Sequence, residues 1–328
     1  MMPRPSLGNL MLDRLILPGM LSFTRFGYQW RSGGFSPLPD LSGRHVVVTG
    51  ATSGLGLATS RRLADLGASL TLIGRNAERL ALLQSELQAE ASGRVHTEVA
   101  DLALLADVRQ LAERLHRQDD PIHVLVNNAG TLFNDYQQTS ESIERNLALN
   151  LLSPFLLTQL LLPRLGCSAP SRVITVSSGG MYLAPLDVAA LEHPPKPYNG
   201  TRQYALAKRA QVELGSIWAE ELTGSGVDVY TMHPGWADTR GVRDALPLFH
   251  RLTAPVLRSA EQGADTIVYL AAAGNLEDHG SGGFWFDREV HPQHVVPWTA
   301  ASRAQRPALR EMLQRLTHYG DSATPESQ

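Results

Sequence analysis

From residue 45 to 286, short β-branched runs alternate with stretches of helical periodicity. Runs at 45–49, 69–73, 95–99, 124–126, 173–176, 227–232 and 284–286 are short, rich in valine, isoleucine and aromatics, and bounded by turn residues, as buried strands are. The stretches between them place apolar residues three and four apart and predict helices. These cover the residues after a glycine-rich turn to about Leu66, then 77–91, 104–117, 142–165, 203–222 and 260–272. In the fourth of them Leu147, Leu151, Phe155, Leu156 and Leu160 form a continuous apolar stripe. Strand–helix alternation of this length predicts an α/β fold, a doubly wound parallel sheet of about seven strands with helices on both faces. It predicts one domain over residues 41–318, with ligands at the carboxyl ends of the strands.

The flanks read differently. Residues 10–21 are apolar but interrupted by Asp13, Arg14 and Pro18, too short and too charged for a membrane span. A signal peptide fits poorly because the charges fall inside the apolar run and no clean small-residue cleavage site follows. Phe23, Phe26, Tyr28 and Trp30 continue the apolar character, and residues 31–40 are a turn-rich linker. Packing onto the domain and anchoring at a membrane surface are both open for this extension of residues 1–40. The expected location is therefore cytoplasmic, with membrane association as the alternative that the extension raises. Residues 319–328 are expected to be a disordered tail.

Composition narrows the function classes. A formal net charge of -3 gives no basic footprint, which argues against nucleic-acid binding. Cys167 is the only cysteine, so no internal disulfide or cysteine-rich metal site exists, and a small apolar filler is its expected role. The histidines, His291 and His294 included, show no metal-ligand spacing.

Candidate chemistry sits at the predicted strand ends. After the first strand comes Thr49-Gly50-Ala51-Thr52-Ser53-Gly54-Leu55-Gly56. Glycines at 50, 54 and 56 allow a tight turn and close backbone approach to a pyrophosphate, which the next helix N-terminus faces. Position in a strand–turn–helix unit marks it as a Rossmann-like dinucleotide site. At the end of the second strand, Ile73-Gly74-Arg75-Asn76, no carboxylate is available for a ribose 2′-hydroxyl. Arg75 can pair with a 2′-phosphate, aided by the hydroxyl of Thr52 or Ser53, so NADP(H) is expected over NAD(H). Further on, Tyr204 and Lys208 lie one helical turn apart on one face. The chain has only two lysines, Lys196 and Lys208. A compact ammonium beside a phenol is expected to lower its pKa from about 10 and so suit it to acid–base work. Tyr198 and Arg202 share the spacing without the small ammonium.

Thr-Gly-x-x-x-Gly-x-Gly, Asn127-Asn128-Ala129-Gly130 and Tyr-x-x-x-Lys, in this order, resemble the short-chain dehydrogenase/reductase family over residues 42–288. Within it, residues 172–181, 232–239 and 261–266 resemble the family-member-12 branch more than the retinol-dehydrogenase-like one. The resemblance implies that Asp101, with Leu102 beside it, holds the adenine edge and that Asn128, Ala129 and Gly130 line the adenosine side. It further implies that Pro234, Gly235 and Thr239 contact the nicotinamide and that Ser178 bonds the substrate oxygen. Asn150 matches the family's helix asparagine in the proton relay, with Asn146 as the competing candidate. The insertion 183–202 and the segment 236–257 resemble substrate-bordering elements and imply an apolar substrate such as a lipid, steroid or retinoid. The function expected is NADP(H)-dependent oxidoreduction of an apolar alcohol or carbonyl, with a cofactor-binding sensor or scaffold as the alternative. A homodimer and a homotetramer are both compatible with the sequence.

Overall fold

A strand buried on both faces must be apolar at nearly every position, and the β-branched runs meet that condition. In the computed structural model, which describes residues 21–274 and 276–320, they form one sheet. Its strands are β1 (His45–Thr49), β2 (Ser69–Gly74), β3 (Val95–Val99), β4 (Val124–Asn127), β5 (Ser171–Val176), β6 (Val227–Met232), β7 (Phe284–Phe286) and β8 (Glu289–His291). Their order is β3-β2-β1-β4-β5-β6-β7-β8. The pairings from β3 through β7 are parallel and the last is antiparallel. The sheet thus has eight strands where the sequence predicts about seven. The eighth returns through Asp287 and Arg288, both left-handed at φ 49° and 62°. Two such residues make a tight hairpin turn, usually signalled by Asn-Gly. Here the ion pairs of buried Asp287 with Arg258 and Arg31, and of Arg288 with Asp265, offset the unfavourable backbone without an Asn-Gly signature.

Successive strand residues point to opposite faces, and the core divides accordingly. Val47 joins one apolar cluster with α4 (Leu105–His116), α5 (Arg145–Cys167), α7 (Gly200–Glu221) and α11 (Arg306–Thr317). Val46 and Val48 join the other, with α2 (Gly54–Asp65), α3 (Ala77–Glu90) and α10 (Ala260–Ala272). By length and composition α5 could cross a membrane, but 72% of its most apolar window is buried inside the domain, as in a core helix. Its final residue, Cys167, is exposed, so the cysteine is not the apolar filler expected. Smaller helices complete the set: α1 (Arg25–Ser32), α6 (Val188–Glu192), α8 (Arg240–Ala245) and α9 (Pro247–Thr253).

Of the extension, residues 21–40 are described, and they pack on the domain. Phe23 sits edge-on to His233 and Phe286, with ring centroids 4.7 and 5.3 Å away. Leu21, Phe26 and Trp30 stay exposed. The apolar segment 10–20 and the tail from 321 lie outside the described residues.

Candidate active site

Because β1 is central, the glycine-rich turn leaves the sheet where the strand order reverses, the usual ligand crevice of such folds. A Cβ on Gly56 would lie 2.2 Å from the Gly50 carbonyl oxygen, so only glycine allows the helix to start this close to the turn. Gly50 and Gly54 adopt φ 66° and 52°. Ser53 precedes α2 with its hydroxyl not spent on capping, and no acidic residue occupies the first turn. Asn128 contributes as a brace: its Nδ2 donates to the Thr49 carbonyl at 2.8 Å, and Thr49 Oγ1 accepts from the Asn128 and Ala129 amides. At the end of β2, Arg75 is exposed and carries no ion pair among the described residues. Thr52 reaches the same place, its Cγ2 within 3.2 Å of a Cβ built on Gly74. Asp101 Oδ1 accepts from the Ala103 amide, and Leu102 is buried.

The two serines ending β5 divide their work. Ser177 Oγ donates to the Lys208 carbonyl at 2.8 Å and ties the strand to α7. Ser178 is hydrogen-bonded to the Tyr204 hydroxyl. Lys208, 2% exposed, donates from Nζ to the Val176 carbonyl at 2.8 Å and lies 5.4 Å from the Tyr204 ring centroid. Burial pushes the Tyr204 phenol up to about 12, with the Ser178 hydrogen bond pulling the other way. Burial alone brings the Lys208 ammonium down to about 7. The lowered phenol pKa expected from the spacing is therefore not found: burial outweighs the Ser178 hydrogen bond. Removing water penalises the charged form of each group, and the lysine's nearest partner is a backbone carbonyl.

The asparagines also separate. Asn146 is committed to structure: Oδ1 accepts from the Phe133 amide, while Nδ2 donates to the Phe133 carbonyl and to Tyr198 Oη. Asn150 lies in a π-helical turn of α5, Ala148–Leu152, a distortion frequent at functional sites. Its Nδ2 donates to the Thr131 and Asn146 carbonyls, while its buried Oδ1 has no protein partner. A Cβ on Gly130 would lie 2.8 Å from Asn150 Oδ1 and 3.2 Å from Lys208 Nζ, so glycine keeps these two groups mutually accessible. Tyr198, the lookalike of Tyr204, donates instead to Glu144, which with burial holds its pKa well above the usual phenol value.

After β6, Gly235 turns at φ 73°, and Pro234 packs with Leu55 and Ala237 around Gly263 of α10. Thr239 caps α8, its hydroxyl accepting from the Val242 amide, and its methyl lies 3.3 Å from a Cβ built on Gly54. Thr239 thus sits against the glycine turn. A cavity of about 240 Å³ separates α8 from the loop 131–137, and none of the site residues Ser178, Tyr204 and Lys208 lines it.

Residues 44–247 match the family model for short chain dehydrogenase. The chain belongs to the short-chain dehydrogenase family. With that membership comes NAD(P)-dependent oxidoreduction. The chain is 36% identical to bovine (Bos taurus) dehydrogenase/reductase SDR family member 12 over 91% of its own length and 95% of the relative's. It is 37% identical to bovine retinol dehydrogenase 12, covering 73% and 76% of the two chains. Among solved structures it resembles the Pseudomonas aeruginosa RhlG/NADP active-site complex, at 27% identity and a TM-score of 0.62, covering 76% of this chain and 96% of that one.

The side chains brought together at the strand ends are Ser178, Tyr204, Lys208 and Asn150, from the residues after β5, α7 and α5. Two supporting residues had no assigned role in the sequence. Thr49 holds the Asn-Asn-Ala-Gly edge to β1, a role hidden because it depends on a strand neighbour 79 positions away. Arg209 turns its back on Lys208 and donates to the Met181 and Ala184 carbonyls, fixing the start of the insertion. Among the described residues no cluster of acidic, histidine or cysteine side chains could hold a metal ion.

Proposed function

We propose that this short-chain dehydrogenase family member uses NADP(H) and acts on an apolar alcohol or carbonyl compound. The observation that carries the reading is the Ser178–Tyr204 hydrogen bond with Lys208 one turn further along α7, beside the unpartnered oxygen of Asn150. The residues fit a dinucleotide. The Gly50–Gly56 turn leaves no room for a Cβ where a pyrophosphate would approach, and the α2 N-terminus carries no competing acid. Exposed Arg75, with the free hydroxyls of Thr52 and Ser53, suits a 2′-phosphate. Pro234, Gly235 and Thr239 would border the nicotinamide and Asp101 and Leu102 the adenine. When bound, the nicotinamide supplies the hydride transfer.

The protein's own chemistry is proton handling. A phenol raised to about 12 is protonated at neutral pH, so Tyr204 is equipped to give a proton to a carbonyl oxygen as that oxygen becomes an alkoxide. Ser178, already bonded to Tyr204, shares the same oxygen and stabilises its developing charge. Lys208 would hold the ribose hydroxyls and, with Asn150, resupply the proton. Support for the apolar substrate comes from Met181, Tyr182, Phe23 and Trp236 around the Ser178 side of the site and from the relative named a retinol dehydrogenase.

The test is NADPH oxidation over a panel of apolar aldehydes and ketones, with Tyr204→Phe alongside. Loss of the acid should lower kcat by about 100- to 10,000-fold while NADPH binding persists. Full activity in the phenylalanine variant, or no turnover of any carbonyl although NADPH binds, would overturn the reading.

A further inference from the structure

The family model begins at residue 44, yet the chain before it reaches the reaction centre. Arg258, 1% exposed, gathers three successive carbonyls of the extension: Nη2 donates to Ser22 at 2.7 Å, and Nε donates to Phe23 at 3.0 Å and Thr24 at 3.2 Å. Its charge is balanced by Asp287 through two bonds, of 2.5 and 2.8 Å, and Arg31 of α1 adds a third bond to the same carboxylate at 2.9 Å. A buried guanidinium with this many satisfied donors is a rigid clamp and not a surface ornament. Arg258 also belongs to the nicotinamide-side loop, its amide donating to the Trp236 carbonyl, while the Trp236 amide donates to the Phe23 carbonyl at 2.9 Å.

The clamp fixes one ring. Phe23 lies between the segments that leave β5 and β6: parallel to Tyr182 at 6.3 Å and edge-on to Trp236 at 5.9 Å. Its Cε2 is 3.4 Å from a Cβ built on Gly179, the residue next to Ser178. Phe23 keeps part of its surface exposed, although the backbone on either side of it is tied down.

We propose that Phe23 is a wall of the substrate pocket that sets how bulky an apolar substrate can lie beside Ser178, and that Arg258 with Asp287 holds it in register. The inference rests on the oxidoreductase reading. It makes the extension a specificity-determining part of the active site, whatever else its residues contact.

The test uses the full chain with Phe23→Ala and Phe23→Trp, and with Phe23→Leu in place of the alanine variant if that does not fold. Each is compared with the unmodified chain on a ketone series graded from short alkyl to polycyclic. NADPH oxidation gives kcat/KM, and calorimetric titration onto the NADP⁺-loaded chain, which cannot reduce a ketone, gives Kd. Shortening the ring should raise the bulky-to-small preference about tenfold or more in both readouts, and tryptophan should lower it, while NADPH affinity changes by less than about twofold. A uniform loss along the series, an unchanged ratio, or no ketone binding by the unmodified chain would overturn the proposal. Absent turnover with measurable ketone binding would sink the oxidoreductase reading alone, because the Kd ratios still decide the role of Phe23.

Discussion

Lys208→Met exposes the conflict between stability and chemistry at this site most directly. Burial takes the ammonium from its ordinary 10.5 to about 7, and at about 1.4 kcal/mol per pH unit that is a native-state cost of about 5 kcal/mol at pH well below 7. The sign follows from proton counting. Between pH 7 and 10.5 the unfolded chain holds this proton and the native chain sheds it, so stability rises with pH and the cost fades toward 10.5. At pH 7, where the native lysine is half titrated, most of that cost remains, and at pH 9 about 2 kcal/mol. Methionine fills similar volume without the charge but leaves the Val176 carbonyl without its lysine donor, a loss of about 1–3 kcal/mol. The variant should therefore be more stable than the parent by about 1–3 kcal/mol at pH 7. The advantage should shrink by about 2 kcal/mol on moving to pH 9. Urea unfolding followed by the fluorescence of the five tryptophans, without cofactor, at pH 7, 8 and 9 measures both. Parallel stability profiles for the two chains, or a variant less stable at pH 7, would refute the argument that burial governs this lysine. NADPH oxidation by the variant should be lost throughout.

Other substitutions probe the remaining parts. Gly56→Ala drives a methyl into the Gly50 carbonyl and should cost about 1–3 kcal/mol of stability and at least about tenfold in NADPH affinity, read by fluorescence titration. Arg75→Asp should move the NADPH/NADH ratio of kcat/KM toward NADH by about tenfold or more, and an unchanged ratio would remove Arg75 from the phosphate site. Asp287→Asn keeps a residue tolerant of the left-handed turn but uncovers the buried Arg258 charge. A loss of about 3–5 kcal/mol in urea unfolding is expected, with faster proteolysis of the extension. Ser178→Ala should lower kcat by about tenfold or more with little change in NADPH affinity, since it removes the partner of Tyr204 and not a cofactor contact.

Much of this molecule was determined locally. Strands β1 and β6 and helix α10 begin and end where periodicity placed them, because strand and helix periods are written in neighbouring residues. The glycine turn was legible for the same reason: its backbone needs are met within seven residues, Gly50 to Gly56. Tyr204 and Lys208 share α7, so their proximity follows from helical geometry alone. What the local pattern left open was decided by contacts between distant segments. Asn146 and Asn150 look alike in sequence, yet only packing against Phe133 and Tyr198 commits Asn146 and leaves the Asn150 oxygen unpartnered. The eighth strand turns on two residues whose left-handed backbone is offset by ion pairs to Arg258, Arg31 and Asp265. The direction of the Tyr204 shift ran against the expectation drawn from its spacing to Lys208, because burial is a property of the whole fold. The Phe23 ring is held beside Gly179 and Ser178 by contacts that include an arginine more than 230 residues later in the chain. Helical spacing brings two side chains together, but the solvent they lose and the partners they gain depend on every element packed around them.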